Sequence, residues 1–377
     1  MFIIVTLLAV ALFFAVNYYL AHRAWRLIHH FIPKLTLTIP LLLFWIMTVM
    51  MLLSFFRPFG GRLQQYISII GAVWMGVLVY LLIFFLLSDL AVGIVRLFRA
   101  LSASAMARLR LISGITALIM ALSVSIYGII NARIIKTTEY DIKLSDAPTS
   151  SLTLALISDV HLGAVGSESR LEHIVAEING LKPDLVCIAG DLFDTDFTSI
   201  VDPEKAIEAL RGLRSTYGTY ACLGNHDAGE TLADMEDFLK RANIHLLKDS
   251  YVTINDSLIL AGRLDPSPIG GFGSLSRVEP DEVLKGADRD LPIVMLDHNP
   301  ASIDSYRGDV GLVLSGHTHK GQIFPGSVFT NAIYTVDYGY YRSEHGTQAV
   351  VTSGVGTWGL PMRVGTDCEI VRIALDY

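Results

Sequence analysis

The sequence predicts an α/β protein in two parts: a four-helix transmembrane region at the amino terminus, then a soluble domain built as a two-sheet β-sandwich flanked by α-helices. Three observations lead there. Charged residues make up only 17% of the 377 residues, while hydrophobic residues reach 52%. The apolar excess is concentrated at one end: through residue 130 a single acid, Asp89, stands against nine bases, a formal charge of +8 that leaves −15 for the remainder. Beyond residue 147, short apolar runs alternate with amphipathic segments, the pattern of strands and helices in an α/β domain. This distribution excludes an ordinary soluble enzyme, a disordered chain and a cysteine-stapled secreted module. Nucleic acid is not an expected partner, because an acidic domain repels phosphate backbones.

Four stretches contain no Asp, Glu, Lys or Arg: residues 2–21, 35–56, 67–88 and 111–130. About 20 residues at roughly 1.5 Å each cross the ~30 Å of hydrocarbon in a bilayer, so each stretch reads as a membrane span and residues 1–130 as an anchor in the lipid bilayer of the cell membrane. The bases Arg23 and Arg26 follow the first apolar run instead of preceding it, which reads as a retained span and not a cleaved signal peptide. Alternate loops differ in basic charge. One set holds Arg23, Arg26, Lys34, Arg96, Arg99, Arg108 and Arg110, the other Arg57, Arg62, Arg133, Lys136 and Lys143. The positive-inside tendency then puts both termini, and the soluble domain, outside the cytoplasm.

Residues 131–146 read as a linker and 147–377 as one domain with ample length for a full core. Strands are expected at 151–157, 184–189 and 219–223, with helices at 169–179, 202–214 and 231–242 between and after them. Strands at 251–260, 292–296, 310–314, 349–353 and 368–375 follow with fewer helices. Cys187 and Cys222 fall inside predicted strands, where a thiol packs as a small apolar group.

Metal-binding residue types recur where the strands end. The turns are Ser158-Asp159-Val160-His161, Gly190-Asp191-Leu192-Phe193-Asp194, Gly224-Asn225-His226-Asp227, Asp297-His298-Asn299-Pro300 and Gly316-His317-Thr318-His319. Ligand sites in α/β sheets lie at the carboxyl ends of strands, so five such turns are expected to meet in one crevice. Imidazoles mixed with carboxylates and an amide oxygen suit a borderline divalent ion such as manganese, iron or zinc. Seven candidate ligands exceed what one ion takes, which implies two ions sharing a carboxylate. Two ions about 3.5 to 4 Å apart can hold a bridging hydroxide, polarise a phosphoryl oxygen and support in-line displacement at phosphorus.

These five ordered motifs resemble the signature of the calcineurin-like metallophosphoesterases. The resemblance implies a phosphoesterase fold and two divalent ions, with manganese favoured and iron, zinc, nickel or magnesium as alternatives. It implies Asp159, His161 and His319 around the first ion, Asn225, His298 and His317 around the second, and Asp191 between them. It further implies that His226 faces the leaving-group oxygen, as general acid or charge stabiliser, and that Asp194 orients His226. Thr195 stands where phosphoprotein phosphatases of this superfamily carry a phosphate-gripping Arg, which argues against that branch. The block from Ser353 to Arg363 is instead similar to membrane-associated bacterial members of the YkuE and YaeI type. Those members have a glycine where this chain has Lys320, a position that is strained if it needs positive φ and otherwise offers an ammonium to anions. Arg263, Lys320 and Arg363 are candidates for holding substrate phosphate.

The expected substrate is a phosphate-containing small molecule or a lipid-linked headgroup. Within the resembled branch, cleavage of a UDP-diacylglucosamine pyrophosphate in lipid A assembly is the alternative reading, at odds with the orientation the loop charges favour. A receptor that keeps the fold without catalysis is the rival of another class, and the complete ligand set speaks against it. For orientation, a reporter fused after Tyr377 that works only when exported is expected to be active; activity of a cytoplasm-only reporter there would reverse the assignment.

Overall fold

The computed structural model describes residues 2–59, 61–98, 101–163, 167–306 and 308–377; Arg99, counted above among the loop bases, lies outside the described residues, as do the side chains of residues 2–5, 7 and 9. The chain divides into two units, Met1–Ile129 and Ile130–Tyr377. The first consists of α1 (Phe2–Phe31), α2 (Thr38–Phe56), α3 (Gly61–Leu97) and α4 (Ala103–Asn131), whose end passes into the second unit. Among the described residues α2, α3 and α4 are each long and apolar enough to cross a membrane, and α1 is itself a 30-residue helix. Asp89, the acid of this region, is paired: Arg23 of α1 reaches it at 3.0 Å and the Tyr19 hydroxyl donates to it at 2.7 Å. Thr48 donates to Asn17 at 2.7 Å, so these two buried polar side chains satisfy one another.

The second unit contains β1 (Ile135–Lys143), β2 (Ser151–Ile157), α5 (Leu171–Gly180), β3 (Leu185–Ala189), α6 (Pro203–Arg211), β4 (Thr219–Cys222), α7 (Leu232–Arg241) and β5 (Ile244–Leu246). It continues with β6 (Ser250–Ile254), β7 (Leu258–Gly262), α8 (Pro280–Val283), β8 (Ile293–Leu296), β9 (Leu312–Ser315), α9 (Gly326–Ile333), β10 (Gly339–Arg342), β11 (Gln348–Val351) and β12 (Cys368–Asp376). Two six-stranded sheets result, in the orders β1-β12-β2-β3-β4-β5 and β10-β11-β9-β8-β7-β6. β2 to β5 run parallel in the first sheet and β7, β8, β9 and β11 in the second.

The two-residue period of the strands sorts their side chains into layers. Leu154 and Leu156 of β2 join Leu260, Leu296 and Leu314 between the sheets. Ala155 and Ile157 point the other way and pack with Ile174, Ile207 and Phe238 of α5, α6 and α7. A third core, with Val313, Met295, Ile303 and Tyr306, covers the outer face of the second sheet. The architecture is the sandwich flanked by helices that the alternating pattern implied.

The stretch 131–146, read above as a linker, is corrected to a strand: β1 pairs in parallel with β12 along its whole length. It sits at a sheet edge and is mostly half-exposed or exposed, so its charged composition resembles that of a linker. The stretch 251–260, read as one strand, is a hairpin of β6 and β7, turned at Asn255 and Asp256, both with positive φ. The short strands β5 and β10 had no run long enough to register. Leu154→Ala is expected to destabilise the full chain by about 2–5 kcal/mol, and the exposed Val201→Ala by less than about 0.5 kcal/mol. The thermal unfolding midpoint in detergent measures both.

Candidate metal centre

Each motif turn leaves a strand at its carboxyl end, and the turns after β2 and β3 continue to pair beyond the sheet. Asp159 N–H donates to Gly190 O and His161 N–H to Asp191 O, both at 3.1 Å. This extension sets the Asp159 and Asp191 loops side by side. From the second sheet, Gly316 N–H donates to His298 O at 3.0 Å, and His317 N–H reaches both Asp159 oxygens at 3.2 and 3.1 Å. The two sheets therefore meet at one edge, with ligands from both.

Three groups form there whose ligand atoms all lie within 4.8 Å of one another: Asp159, His161 and His319; His161, Asp191 and His226; Asp191, His298 and His317. His161 Nε2 and His319 Nε2 are 3.1 Å apart, and His319 Nε2 is 3.3 Å from Asp159 Oδ1. His298 Nδ1 donates to Ala189 O at 2.7 Å, which turns Nε2 towards Asp191 Oδ2 at 3.1 Å. Asn225 Oδ1 lies 2.8 Å from His317 Nδ1. All seven sequence candidates for metal binding are thus gathered in one place.

The electrostatics of the cluster call for positive charge. Burial raises the Asp159 carboxyl, and Asp191 adds to the effect. Burial would raise Asp191 too, but the fields of His298, His161 and His226 outweigh it and hold that carboxyl below the usual range. Burial opposes a charged His298, yet the Asp191 carboxylate raises it well above an ordinary imidazole. Burial lowers His317 to about 4, and it lowers His319, with His161 and Arg363 adding to the shift. The lowered His317 and His319 imidazoles beside the ionised Asp191 carboxylate are donors that suit a divalent ion, so the donor set fits the metals implied by the motifs.

The immediate partner of His226 differs from expectation. Its Nδ1 meets Thr195 Oγ1 at 2.6 Å, while Asp194 Oδ1 stands 3.8 Å from both His226 Nδ1 and His161 Nδ1. Asp194 is close, but the hydrogen bond that orients the ring is with Thr195. Asp227 caps no helix: its two oxygens accept from Phe193 N–H at 2.8 Å and Gly224 N–H at 2.9 Å, tying two motif loops together. Burial raises that carboxyl to about 6. Ser158 donates from Oγ to Asp159. No spacing rule pairs Thr195 with His226 or Asp227 with Phe193, since those partners are distant in sequence.

The three candidates for substrate phosphate are placed otherwise. Arg363 is fully buried and gives its guanidinium to the carbonyls of His319, Ser353 and Gly356 at 3.0, 2.7 and 2.6 Å. Arg263 is also buried, donating to Tyr306 Oη at 3.0 Å and Val278 O at 2.7 Å. Its neighbour Arg277 grips Asp297, the residue before His298, through both oxygens at 2.8 and 2.7 Å. Both candidate arginines are buried and spend their donors on the loops around the cluster. Lys320 takes φ 51° and ψ 36°, the left-handed region suited to glycine, and its Nζ sits 3.8 Å above the Tyr338 ring.

Close approach explains two of the motif glycines. A Cβ on Gly224 would overlap the Asp191 carboxylate, and one on Gly316 would overlap Ser158 Oγ and Asp159 Oδ2.

Fold and centre together define a phosphoesterase of the two-sheet metal-dependent class. The family model for calcineurin-like phosphoesterases matches residues 152–321. A transmembrane protein with metallophosphoesterase domain from Danio rerio is 32% identical over 335 residues, 82% of this chain and 74% of its own. An uncharacterized metallophosphoesterase from Helicobacter pylori is 32% identical over 250 residues, 66% of this chain and 65% of its own length. YkuE of Bacillus subtilis, an uncharacterized metallophosphoesterase, is 30% identical over 256 residues, 64% of this chain and 85% of its own. The chain belongs to the calcineurin-like metallophosphoesterase family, as a membrane protein of its YkuE-like branch.

Gly316→Ala is expected to lower bound metal per chain by about tenfold or more, since it displaces the Asp159 carboxylate. Elemental analysis of the purified full chain measures this without reference to activity.

Proposed function

We propose that this chain is a membrane-anchored, dinuclear metal-dependent phosphoesterase that hydrolyses a phosphate ester or anhydride, with a phosphodiester or a lipid-linked headgroup as substrate. The observation that carries the reading is Asp191, whose carboxylate belongs at once to the group with His161 and the group with His298 and His317. Asp159, His161 and His319 would hold one ion, Asn225, His298 and His317 the other, and Asp191 both, with manganese the proposed metal. When bound, two such ions supply Lewis-acid charge at a phosphoryl oxygen and a nucleophile at neutral pH.

The chain's own residues account for the rest. Thr195 occupies Nδ1 of His226, which leaves Nε2 to protonate or stabilise the leaving-group oxygen. Asp191 Oδ1 accepts from His226 N–H at 2.9 Å, so the carboxylate between the metal groups and the leaving-group histidine move as one piece. Asp227 and Arg363 hold the surrounding loops and pre-organise the centre. Thr195 in the position of a phosphate-gripping Arg supports an activity other than protein dephosphorylation. The basic bias of the alternate loops supports a catalytic domain facing away from the cytoplasm.

The full chain in detergent with Mn²⁺ is expected to hydrolyse an aryl phosphodiester or aryl phosphate, to lose activity to a chelator and to regain it with added metal. Asp191→Asn should abolish turnover with the fold largely intact. His226→Ala should keep its metal and lose about 10²- to 10⁴-fold in kcat. No hydrolysis with any divalent ion would overturn the enzyme reading, and wild-type turnover by Asp191→Asn would overturn the bridging role.

A further inference from the structure

Helix α9 reverses the usual arrangement of a surface helix. Thr330 is turned inward: its Oγ1 donates to Asp337 Oδ2 at 2.7 Å, and Asp337 O accepts from Thr318 Oγ1 at 2.5 Å, inside the His317–His319 turn. The apolar side of the helix is outward, with Val328 59%, Phe329 64% and Ile333 74% exposed. Phe329 and Ile333 lie one turn apart on the same side, with Val328 beside Phe329. Phe324 just before the helix is 54% exposed, and Trp358 is 53% exposed. Gln322 holds those two segments together, accepting from Trp358 N–H at 2.8 Å and donating to Trp358 O and Leu360 O at 2.9 and 3.0 Å.

This apolar rim borders the metal centre. Tyr334, at the end of α9, packs edge-on against His317 with ring centroids 6.0 Å apart. Trp358 lies 5.8 Å from His226 by the same measure. The rim is also joined to the point where the chain leaves its last membrane helix. Asn131, the final residue of α4, donates to Thr366 O at 2.8 Å and Arg363 O at 3.3 Å. Within that same loop, Val364 exchanges hydrogen bonds with the α9 approach: Phe324 N–H to Val364 O at 2.8 Å and Val364 N–H to Gln322 O at 3.1 Å. Arg133 and Ile134, directly after Asn131, are both exposed, an apolar and a basic residue at the exit from lipid.

We propose that α9, with Phe324 and Trp358, is a membrane-surface seat: its apolar face enters the headgroup region of the bilayer and opens the metal centre to phosphate groups held there. The occupant follows from continuity. A helix that ends at Asn131 after crossing the hydrocarbon leaves the 363–366 loop at the lipid–water boundary, and that loop carries the rim. Exposed Phe and Trp side chains suit this boundary, being apolar bodies at headgroup depth. An apolar face turned to water has no such compensation. Combined with the phosphoesterase reading, on which this part rests, the seat narrows the substrate to a phosphoester presented at a bilayer surface.

The test uses the full chain in nanodiscs of phosphatidylcholine and phosphatidylglycerol. The native cysteines Cys187, Cys222 and Cys368 are buried, so bimane can be attached at Phe329→Cys and, as control, at the exposed Glu208→Cys on α6. Doxyl-labelled lipid is expected to quench the 329 label about twofold or more and to leave the 208 label nearly unchanged. Equal quenching at both positions overturns the proposal. So does a 329 label shielded from aqueous iodide yet untouched by doxyl lipid, which would put a protein on that face. Quenching needs no turnover, so its failure and a failure of the phosphoesterase reading are separate results.

Discussion

Carboxylates and imidazoles shut away from water at van der Waals distance from one another are the constraint around which this domain is organised. Asp159 is 0% and Asp191 2% exposed, and in so poorly screened a setting two negative charges side by side are costly. The imidazoles relieve this in part, but burial keeps His317 and His319 neutral. His298 is driven towards charge, by the carboxylate it faces. The cluster is short of positive charge, and divalent cations at its two ends would make up the deficit. The carbonyl contact of His298, the hydroxyl on His226 and the amides on Asp227 all fix which lone pairs face inward.

To bring these groups together the backbone adopts conformations it would otherwise avoid. Asp159, His161, Asp191, His317 and His319 all have positive φ, each at a cost on the order of 1 kcal/mol for a residue with a side chain. The extended pairing of the Asp159 and Asp191 loops holds the first three. Buried Arg363 holds the His319 loop by its carbonyl, along with those of the carboxy-terminal block. A guanidinium has five donors in a fixed plane, which makes it suited to tying several carbonyls into one rigid piece. Stability supplied by two well-packed sheets is thus diverted to a strained rim where the chemistry sits.

The carboxy-terminal loops show the same economy. The segment that carries Arg363 also receives Asn131 from the end of the last membrane helix and pairs with the approach to α9. One short stretch therefore joins Asn131 at the start of the second unit, the Arg363 brace on the His319 carbonyl and the approach to α9.

Much of this was legible in the residues alone. Apolar runs report membrane helices because a bilayer tolerates little else, and the alternation of β2, β3 and β4 with helices reports a buried sheet. The cluster of candidate ligands was legible because metal chemistry restricts residue types at strand ends. What the sequence could not show were groups whose role depends on distant partners. Edge strand β1 looked like a linker because half its surface faces water. Thr195 is an ordinary threonine until the fold brings His226 to it, and Arg263 and Arg363 look like phosphate-binding arginines until the packing turns them onto carbonyls and Asp297. Thr330 of α9 likewise turns inward only because Asp337 lies behind it. Sequence determined the candidate ligands and the layers because those follow from local chemistry and periodicity; the tertiary structure decided which arginines brace and which surface is left apolar, because that depends on contacts between residues far apart in the chain.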